Sequence, residues 1–154
     1  MSASVTLDTN ILIYAFENRE PFKQEICLSL LQAAASARSR LAYQAVGEFY
    51  VAATRQRILS PAEAVREVTN LVNGFDLFLP SPSAYALAAQ EAARGTFSYW
   101  DAVLLISASD AGCDVILSED MADGARLGSI TVRNPFGPRG LNEEARAWLG
   151  MDES

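Results

Sequence analysis

The sequence of 154 residues contains no histidine. This absence excludes Ser-His-Asp and Cys-His triads, zinc sites with histidine ligands and every mechanism that uses an imidazole as general base. Lysine is almost as scarce, because Lys23 is the only lysine among the 12 basic residues. Any chemistry must therefore depend on carboxylates, hydroxyl groups, arginine, this single lysine or a bound metal ion.

Cysteines and long apolar runs are also few. Cys27 and Cys113 stand far apart without a Cys-x-x-Cys pair, so we expect two buried thiols rather than a disulfide or a metal site. No apolar run approaches the roughly 20 residues of a membrane-spanning helix, and the first residues do not have the pattern of a signal peptide. These features favour a cytoplasmic protein without a membrane contact.

Positive charge is in short supply, since 19 acidic residues oppose 12 basic ones and the formal net charge is −7. Such a balance argues against a broad basic surface for duplex DNA, although a few arginines could still bind nucleic acid. Arginine suits that role because its guanidinium group can donate two hydrogen bonds to one phosphate. For any single arginine, ordinary solvation of the surface is the competing explanation.

The hydrophobic pattern alternates short apolar strands with helices, and half of the residues are hydrophobic. The length suits one domain with a sizeable core. The alternation predicts an α/β protein with a parallel sheet that helices cover on both faces. The predicted strands are 5–7, 41–43, 75–79, 115–117 and 130–132, and the predicted helices are 10–16, 21–36, 45–57, 61–73, 84–94, 99–111 and 142–149.

Two carboxylates follow predicted strands. Asp8 comes directly after strand 5–7, and Asp120 lies just past strand 115–117. Ligands of an open parallel sheet bind beyond the carboxyl ends of its strands, so both acids lie where a site is expected. Each also has a simpler explanation, because Asp8 could cap the following helix and Asp120 could form a capped turn with Ser118.

Two more carboxylates fall on apolar faces of predicted helices. Glu48 shares a face with Ala45 and Val51, and Asp101 shares one with Leu104, so we expect both acids to face inward. Asp101 could instead stabilise a helix N-terminus, whereas Glu48 has no such explanation. Grouped buried carboxylates repel one another unless a cation lies among them, and carboxylates bind hard divalent cations best. Together the four acids predict a metal site.

Four motifs carry these acids: LDTNILIYAF at 7–16, VGEFY at 46–50, FSYWDAVLLISA at 97–108 and ILSEDMADG at 116–124. In this order they resemble PIN-domain ribonucleases, and specifically the VapC toxins of bacterial toxin–antitoxin pairs. The resemblance implies a three-layer α/β/α sandwich around a mainly parallel sheet. It further implies a PIN-like nuclease domain over residues 1–136, which leaves residues 137–154 as a C-terminal tail.

The resemblance also implies roles for the acids. Asp8, Glu48, Asp101 and Asp120 match the four catalytic acids of the family. The three aspartates would bind Mg²⁺ or Mn²⁺, and Glu48 would either bind the metal or orient a water molecule. The implied activity is metal-dependent hydrolysis of RNA that leaves a 5′-phosphate and a 3′-hydroxyl.

Supporting residues follow from the same resemblance. Asn10 and Ser118 match polar residues that support the first and fourth acids. Asp123 lies close to Asp120 and could help with metal or water, or it could simply be a turn residue before Gly124.

The implied partners are an RNA substrate such as tRNA or rRNA, a cognate antitoxin protein and a second copy of the chain in a homodimer. The antitoxin groove is expected near helix 21–36 and helix 61–73. Tyr99 and Trp100 could stack on bases, although at least one of them is expected to pack in the core or at a dimer contact. The candidate phosphate-binding residues are Arg19, Arg55, Arg57 and Arg94.

Other protein classes fit less well. A phosphatase of the haloacid dehalogenase type needs a second aspartate where this chain has Asn10, and a receiver domain needs a late lysine whereas Lys23 comes early. Two alternatives stay open: a PIN-type nuclease of RNA processing without a toxin role, and a PIN domain that binds RNA or protein without cutting.

Overall fold

The computed structural model describes residues 3–137, 140–141 and 146–147. The helices are Thr9–Tyr14 (α1), Pro21–Ser36 (α2), Tyr43–Arg55 (α3), Pro61–Gly74 (α4), Pro82–Ala93 (α5) and Tyr99–Asp110 (α6). The strands are Val5–Leu7 (β1), Arg40–Ala42 (β2), Asp76–Phe78 (β3), Val115–Leu117 (β4), Arg126–Leu127 (β5), Ile130–Arg133 (β6), Phe136–Gly137 (β7) and Gly140–Leu141 (β8).

The central sheet is mainly parallel. Its strand order is β1-β4-β6-β5, and only β5 runs antiparallel to its neighbour. The parallel pair β2-β3 lies beside β1, where the Thr6 hydroxyl donates to the carbonyl of Arg40 at 2.7 Å. Helices flank this sheet, as the predicted α/β/α sandwich requires.

Apolar sequence explains why the central strands form. All three residues of β1 and all three of β4 are buried, as expected for parallel strands that helices cover on both faces. In the register of these two strands Leu7 lies opposite Leu117. The next residues of both strands therefore meet at one edge of the sheet, and this is the edge where Asp8 and Ser118 lie.

Helix α6 lies deep in the molecule. Its residues 102–108 are all buried, because one side faces the sheet and the other packs against α5. A helix that is apolar all round is stable only in such a position. Its N-terminus is capped by Ser98 Oγ, which accepts a hydrogen bond from Asp101 N at 3.3 Å, so Asp101 occupies the first turn.

Most predicted elements are present, with ends shifted by up to two residues at most helices. Tyr43 begins α3 rather than ending a strand, while β5, β7 and β8 were not predicted. The predicted helix 142–149 falls outside the described residues except for 146 and 147. Cys27 and Cys113 are buried free thiols, as expected. No helix in the described part of the chain is long and apolar enough to cross a membrane.

Candidate active site and metal centre

Asp8 is the buried carboxylate of the site, with 7% of its surface exposed. It caps α1, because Oδ1 accepts a hydrogen bond from Thr9 N at 2.8 Å. Oδ2 accepts from Ser118 Oγ at 2.8 Å and from Asn10 Nδ2 at 3.1 Å. The capping explanation is therefore correct for one oxygen, while the other oxygen joins the start of α1 to the end of β4.

The surroundings of Asp8 disfavour its negative charge. The pKa of the Asp8 carboxyl is raised from 3.8 to about 6; burial is the largest cause, and the charges of Asp101 and Asp120 contribute in the same direction. Hydrogen bonds from Ser118 and Thr9 act in the opposite direction. A cation at this position would stabilise the ionised carboxylate, since an opposite charge nearby favours the charged form.

Asn10 connects the acids at the edge of the sheet. Besides Asp8, its Nδ2 lies 3.2 Å from Ser118 Oγ and 3.3 Å from Asp120 Oδ2. Its Oδ1 accepts a hydrogen bond from Glu119 N at 3.1 Å. The amide thus presents its donor side to the carboxylates, which is the supporting position expected for this residue.

Ser118 shapes the turn after β4. Its buried hydroxyl donates to Asp8 and accepts from Asp120 N at 3.2 Å and from Met121 N at 3.4 Å. Ser118 is the capping residue of this turn, and the carboxylate of Asp120 is exposed beside it. The structure therefore places Asp120 at the rim of the site.

The inward orientation predicted for Glu48 is wrong, because its side chain is exposed. The buried face of α3 consists of Ala45, Val46, Phe49 and Ala53, and Glu48 borders this face on the side of the site. Val51, which the prediction placed on the inner face with Glu48, is also exposed.

Glu48 is nevertheless held at the site. Its Oε2 accepts a hydrogen bond from Thr9 Oγ1 at 2.8 Å, and its Oε1 accepts from Gln44 Nε2 at 3.1 Å. Thr9 was not among the predicted site residues, although its place directly after Asp8 in the LDTN motif is a signal that points to it. Both contacts orient the carboxylate without burying it.

The donor set suits a hard divalent cation, since it consists of carboxylates. Asp101 is half-buried. Its charge and that of Asp120 both raise the pKa of Asp8. Among the residues that the structure describes, however, no three Asp, Glu, Cys or His side chains form a group that could hold a metal ion. The carboxylates of Asp8, Asp101 and Asp120 thus influence one another at one edge of the sheet without forming a group of three ligands.

An open cavity of about 640 Å³ adjoins two of these acids, whereas Asp8 and Asp101 do not line it. Glu48 and Asp120 belong to its wall, together with the apolar side chains of Ile13 and Ala52 on the facing helices α1 and α3. This volume lies within the range of small-molecule sites, which is roughly 300–1,000 Å³. The cavity can therefore admit part of a larger ligand next to the carboxylates.

Of the four candidate arginines, Arg19 lines this cavity and the other three do not. Its guanidinium group binds Glu17 through Nε–Oε1 and Nη2–Oε2 contacts of 2.8 and 2.6 Å, and these hydrogen bonds lower the pKa of Glu17 to about 2. Arg94 pairs with Glu91 at 2.9 Å, whereas Arg55 and Arg57 are exposed at the end of α3.

Asp123 is turned toward the end of β6. Its Oδ1 accepts a hydrogen bond from Asn134 N at 3.0 Å and lies 4.0 Å from Arg133 Nη1. These contacts fit the alternative of a turn residue. Of the two aromatic residues before Asp101, Tyr99 packs against the α5–α6 core and Trp100 is exposed beside it.

By fold, the chain is similar to VapC20 of Mycobacterium tuberculosis, a toxin that cleaves the sarcin–ricin loop. The two chains share 12% sequence identity at a TM-score of 0.55, over 79% of this chain and 91% of VapC20. By sequence, no curated protein matches the chain.

The model of the PIN domain family matches residues 5–122. This segment is more than half of the chain and includes the first three motifs and the fourth as far as Ala122. Asp8, Glu48, Asp101 and Asp120 all lie inside it, and Asp123 lies just outside. The family resemblance is thereby confirmed, and the chain belongs to the PIN domain family.

Proposed function

We propose that the protein is a metal-dependent endoribonuclease of the toxin type. PIN-domain membership supports a nuclease. The observation that carries the proposal is the state of Asp8, a buried carboxylate at the carboxyl edge of the sheet whose pKa is raised by burial and by two neighbouring acids. Such perturbed groups beside a cavity are typical of functional sites.

Asp8, Asp101 and Asp120 are the proposed ligands of Mg²⁺ or Mn²⁺. A bound divalent ion would lower the pKa of a coordinated water and offset charge on the phosphoryl oxygens. Asp8 is already oriented, because Thr9 N donates to its Oδ1 while Ser118 and Asn10 donate to its Oδ2. The half-buried Asp101 and the exposed Asp120 would supply the other two carboxylates.

Glu48 is proposed to accept the proton of the attacking water. Its carboxylate is exposed to the cavity and is oriented by Thr9 and Gln44, so it is accessible and yet held in place. A general base needs such a position within reach of the water. Direct ligation of the metal is the alternative role for Glu48. Hydrolysis would leave a 5′-phosphate and a 3′-hydroxyl.

The substrate is proposed to be a structured RNA. VapC20, which is similar in fold, cleaves the sarcin–ricin loop, and this makes an rRNA loop a natural first substrate beside tRNA. Arg19 is the candidate for a phosphate contact because it lies in the wall of the cavity. A cognate antitoxin, a homodimer and a cytoplasmic location complete the toxin proposal.

A non-catalytic PIN domain is the second candidate. The observation that favours it is the lack of a three-acid metal group among the described residues. This candidate predicts RNA or protein binding without cleavage, so one assay separates the two.

The first prediction concerns Asp101→Asn. We expect the wild-type protein to cleave a labelled sarcin–ricin oligonucleotide or tRNA when Mg²⁺ or Mn²⁺ is present. Cleavage should stop when EDTA removes the metal ion. Asp101→Asn removes a proposed ligand and should reduce cleavage by at least about 100-fold, because loss of a group that merely orients a ligand already costs roughly 10–100-fold. Gel electrophoresis of the end-labelled RNA measures both rates.

Asp110→Asn is the matched control. Asp110 lies on the same helix α6 but at its exposed C-terminal end, so the same substitution there should leave the rate unchanged. A folded Asp101→Asn protein that cleaves like Asp110→Asn would contradict the assignment. A wild-type protein that binds these RNAs and never cuts them would favour the non-catalytic candidate.

A further inference from the structure

Asp120 is held mainly through its neighbours in the chain. Its side chain is exposed, and among the described residues its carboxylate accepts one hydrogen bond, from Asn10 Nδ2 at 3.3 Å. Its backbone N–H donates to Ser118 Oγ. The direction of this carboxylate therefore depends on how firmly the turn 118–121 is fixed.

Glu119, the residue before Asp120, is held by hydrogen bonds at both its side chain and its backbone N–H. The hydroxyl of Tyr14 donates to Glu119 Oε1 at 2.7 Å, and Lys23 Nζ lies 2.7 Å from Oε2 and 3.0 Å from Oε1. The backbone N–H of Glu119 donates to Asn10 Oδ1 at 3.1 Å. Helices α1 and α2 thus both hold the turn that carries Asp120.

The ammonium group of Lys23 lies over two aromatic rings. Lys23 Nζ lies 4.8 Å from the ring centroid of Tyr14 and 5.2 Å from that of Phe136, and the two rings meet edge-on at 5.7 Å. A cation over aromatic faces is attracted by their negative charge density. Only 30% of the Lys23 side chain and 26% of the Glu119 side chain are exposed, so the pair is partly shielded from solvent.

We infer that Lys23, Glu119 and Tyr14 form a clamp that positions Asp120 for metal binding. The inference rests on the proposed metal-dependent function. Its physical basis is pre-organisation: a turn held at both the side chain and the N–H of Glu119 leaves the next residue less freedom, so less entropy is lost when its carboxylate binds an ion. Lys23, Glu119 and Tyr14 are positioning residues, since each acts through the turn.

Variants of the clamp test this inference. Lys23→Met and Glu119→Gln remove one charge each, Tyr14→Phe removes only the hydroxyl, and Lys23→Arg keeps a cation. Glu91→Gln is the matched control, because it breaks an ion pair of 2.9 Å with Arg94, and Glu91 lies on α5 outside the cavity that Glu48 and Asp120 line. Circular dichroism verifies that each variant is folded.

Two measurements are made on each variant. Isothermal titration calorimetry gives the Kd for Mn²⁺, and hydrogen exchange of the metal-free protein gives the protection of the amides of residues 119–121. We expect Lys23→Met and Glu119→Gln to bind Mn²⁺ about tenfold more weakly, as for other groups that orient a metal ligand. Their turn amides should exchange faster, while Lys23→Arg and Glu91→Gln should stay within about twofold of wild type.

The inference is overturned if Glu119→Gln and Tyr14→Phe keep wild-type Mn²⁺ affinity and wild-type exchange of the turn amides. Exchange that rises equally over the whole chain would also overturn it, because the cluster would then be a general stabiliser. Should Lys23→Met not fold, Glu119→Gln and Tyr14→Phe decide the question. Failure of the proposed function looks different: wild-type protein would itself bind no Mn²⁺, and the exchange data alone would then decide whether the clamp holds the turn.

Discussion

At the scale of single residues, the two carboxylate oxygens of Asp8 have different structural roles. One oxygen caps α1, and the other receives hydrogen bonds from Asn10 and Ser118 at the end of β4. Burial makes the ionised form costly, and the neighbouring acids add to this cost. Ionised Asp8 therefore lowers the free energy of unfolding, which is common for residues of functional sites.

This cost predicts a pH dependence of stability. The pKa of Asp8 in the folded protein, about 6, lies above its ordinary value of 3.8, so the folded state holds the proton more tightly and stability falls as pH rises between these values. Between roughly pH 4 and pH 7.5 the metal-free wild type should lose about 2 kcal/mol more than Asp8→Asn. Urea unfolding in EDTA at both pH values measures the difference.

Asp110→Asn serves as the control for this titration, since it removes an exposed carboxylate and should follow the wild-type curve. Parallel pH profiles for wild type and Asp8→Asn would show that burial does not raise the pKa of Asp8. The substitution keeps the capping acceptor, because asparagine also caps helices well.

At the scale of elements, the parallel pairing of β1 and β4 and the capped start of α6 bring the acids together. Register places Leu7 opposite Leu117, so the residues that follow both strands lie side by side. Ser98 fixes where α6 begins and thereby where Asp101 lies in its first turn. Helix α4 also begins with a serine cap, the capping box of Ser60 and Glu63, but this helix carries none of the four candidate acids.

The two caps allow a matched prediction. Ser60→Ala and Ser98→Ala should each lower the free energy of unfolding by about 1 kcal/mol, because each leaves one helical N–H without its acceptor. Only Ser98→Ala should also slow RNA cleavage, since only α6 carries a proposed ligand. Urea titration and the cleavage assay, run on both variants, provide the comparison. Equal cleavage rates for the two would indicate that the start of α6 does not need its cap to place Asp101.

At the scale of the whole molecule, the site is assembled from distant parts of the chain. Asp8 and Asp120 meet through the central sheet, Asp101 comes from the buried helix α6, and Glu48 comes from α3 across the cavity. Residues so far apart in sequence converge only when the fold is complete. An ion that binds there is therefore expected to bind the folded chain alone and to stabilise it.

The corresponding prediction is a rise in thermal stability with Mn²⁺. At a free Mn²⁺ concentration about 100 times its Kd, the free energy of unfolding should increase by about 2.7 kcal/mol. Differential scanning calorimetry with and without Mn²⁺ measures the shift, and EDTA should reverse it. Asp101→Asn should show a much smaller rise, and an equal rise in that variant would place the ion elsewhere.

Local sequence alone predicted most of the elements in their order and supplied the four candidate acids. Periodicity marks a buried strand or helix within a few residues, and the four motifs carry the family resemblance. The short strands β5, β7 and β8 escaped prediction because two residues are too few to show a period. The division of the chain at residue 136 stays a prediction.

Tertiary structure decided what depends on contacts between distant residues. It showed that Glu48 is exposed at a cavity, because α3 buries the face of Ala45, Val46, Phe49 and Ala53 against the rest of the molecule. It turned Asp123 toward β6 and placed Lys23 beside Glu119, 96 positions later. Such pairings form only when distant segments pack together in the fold, so no local pattern could reveal them. Helix and strand periodicity is local and could therefore be recognised in the sequence.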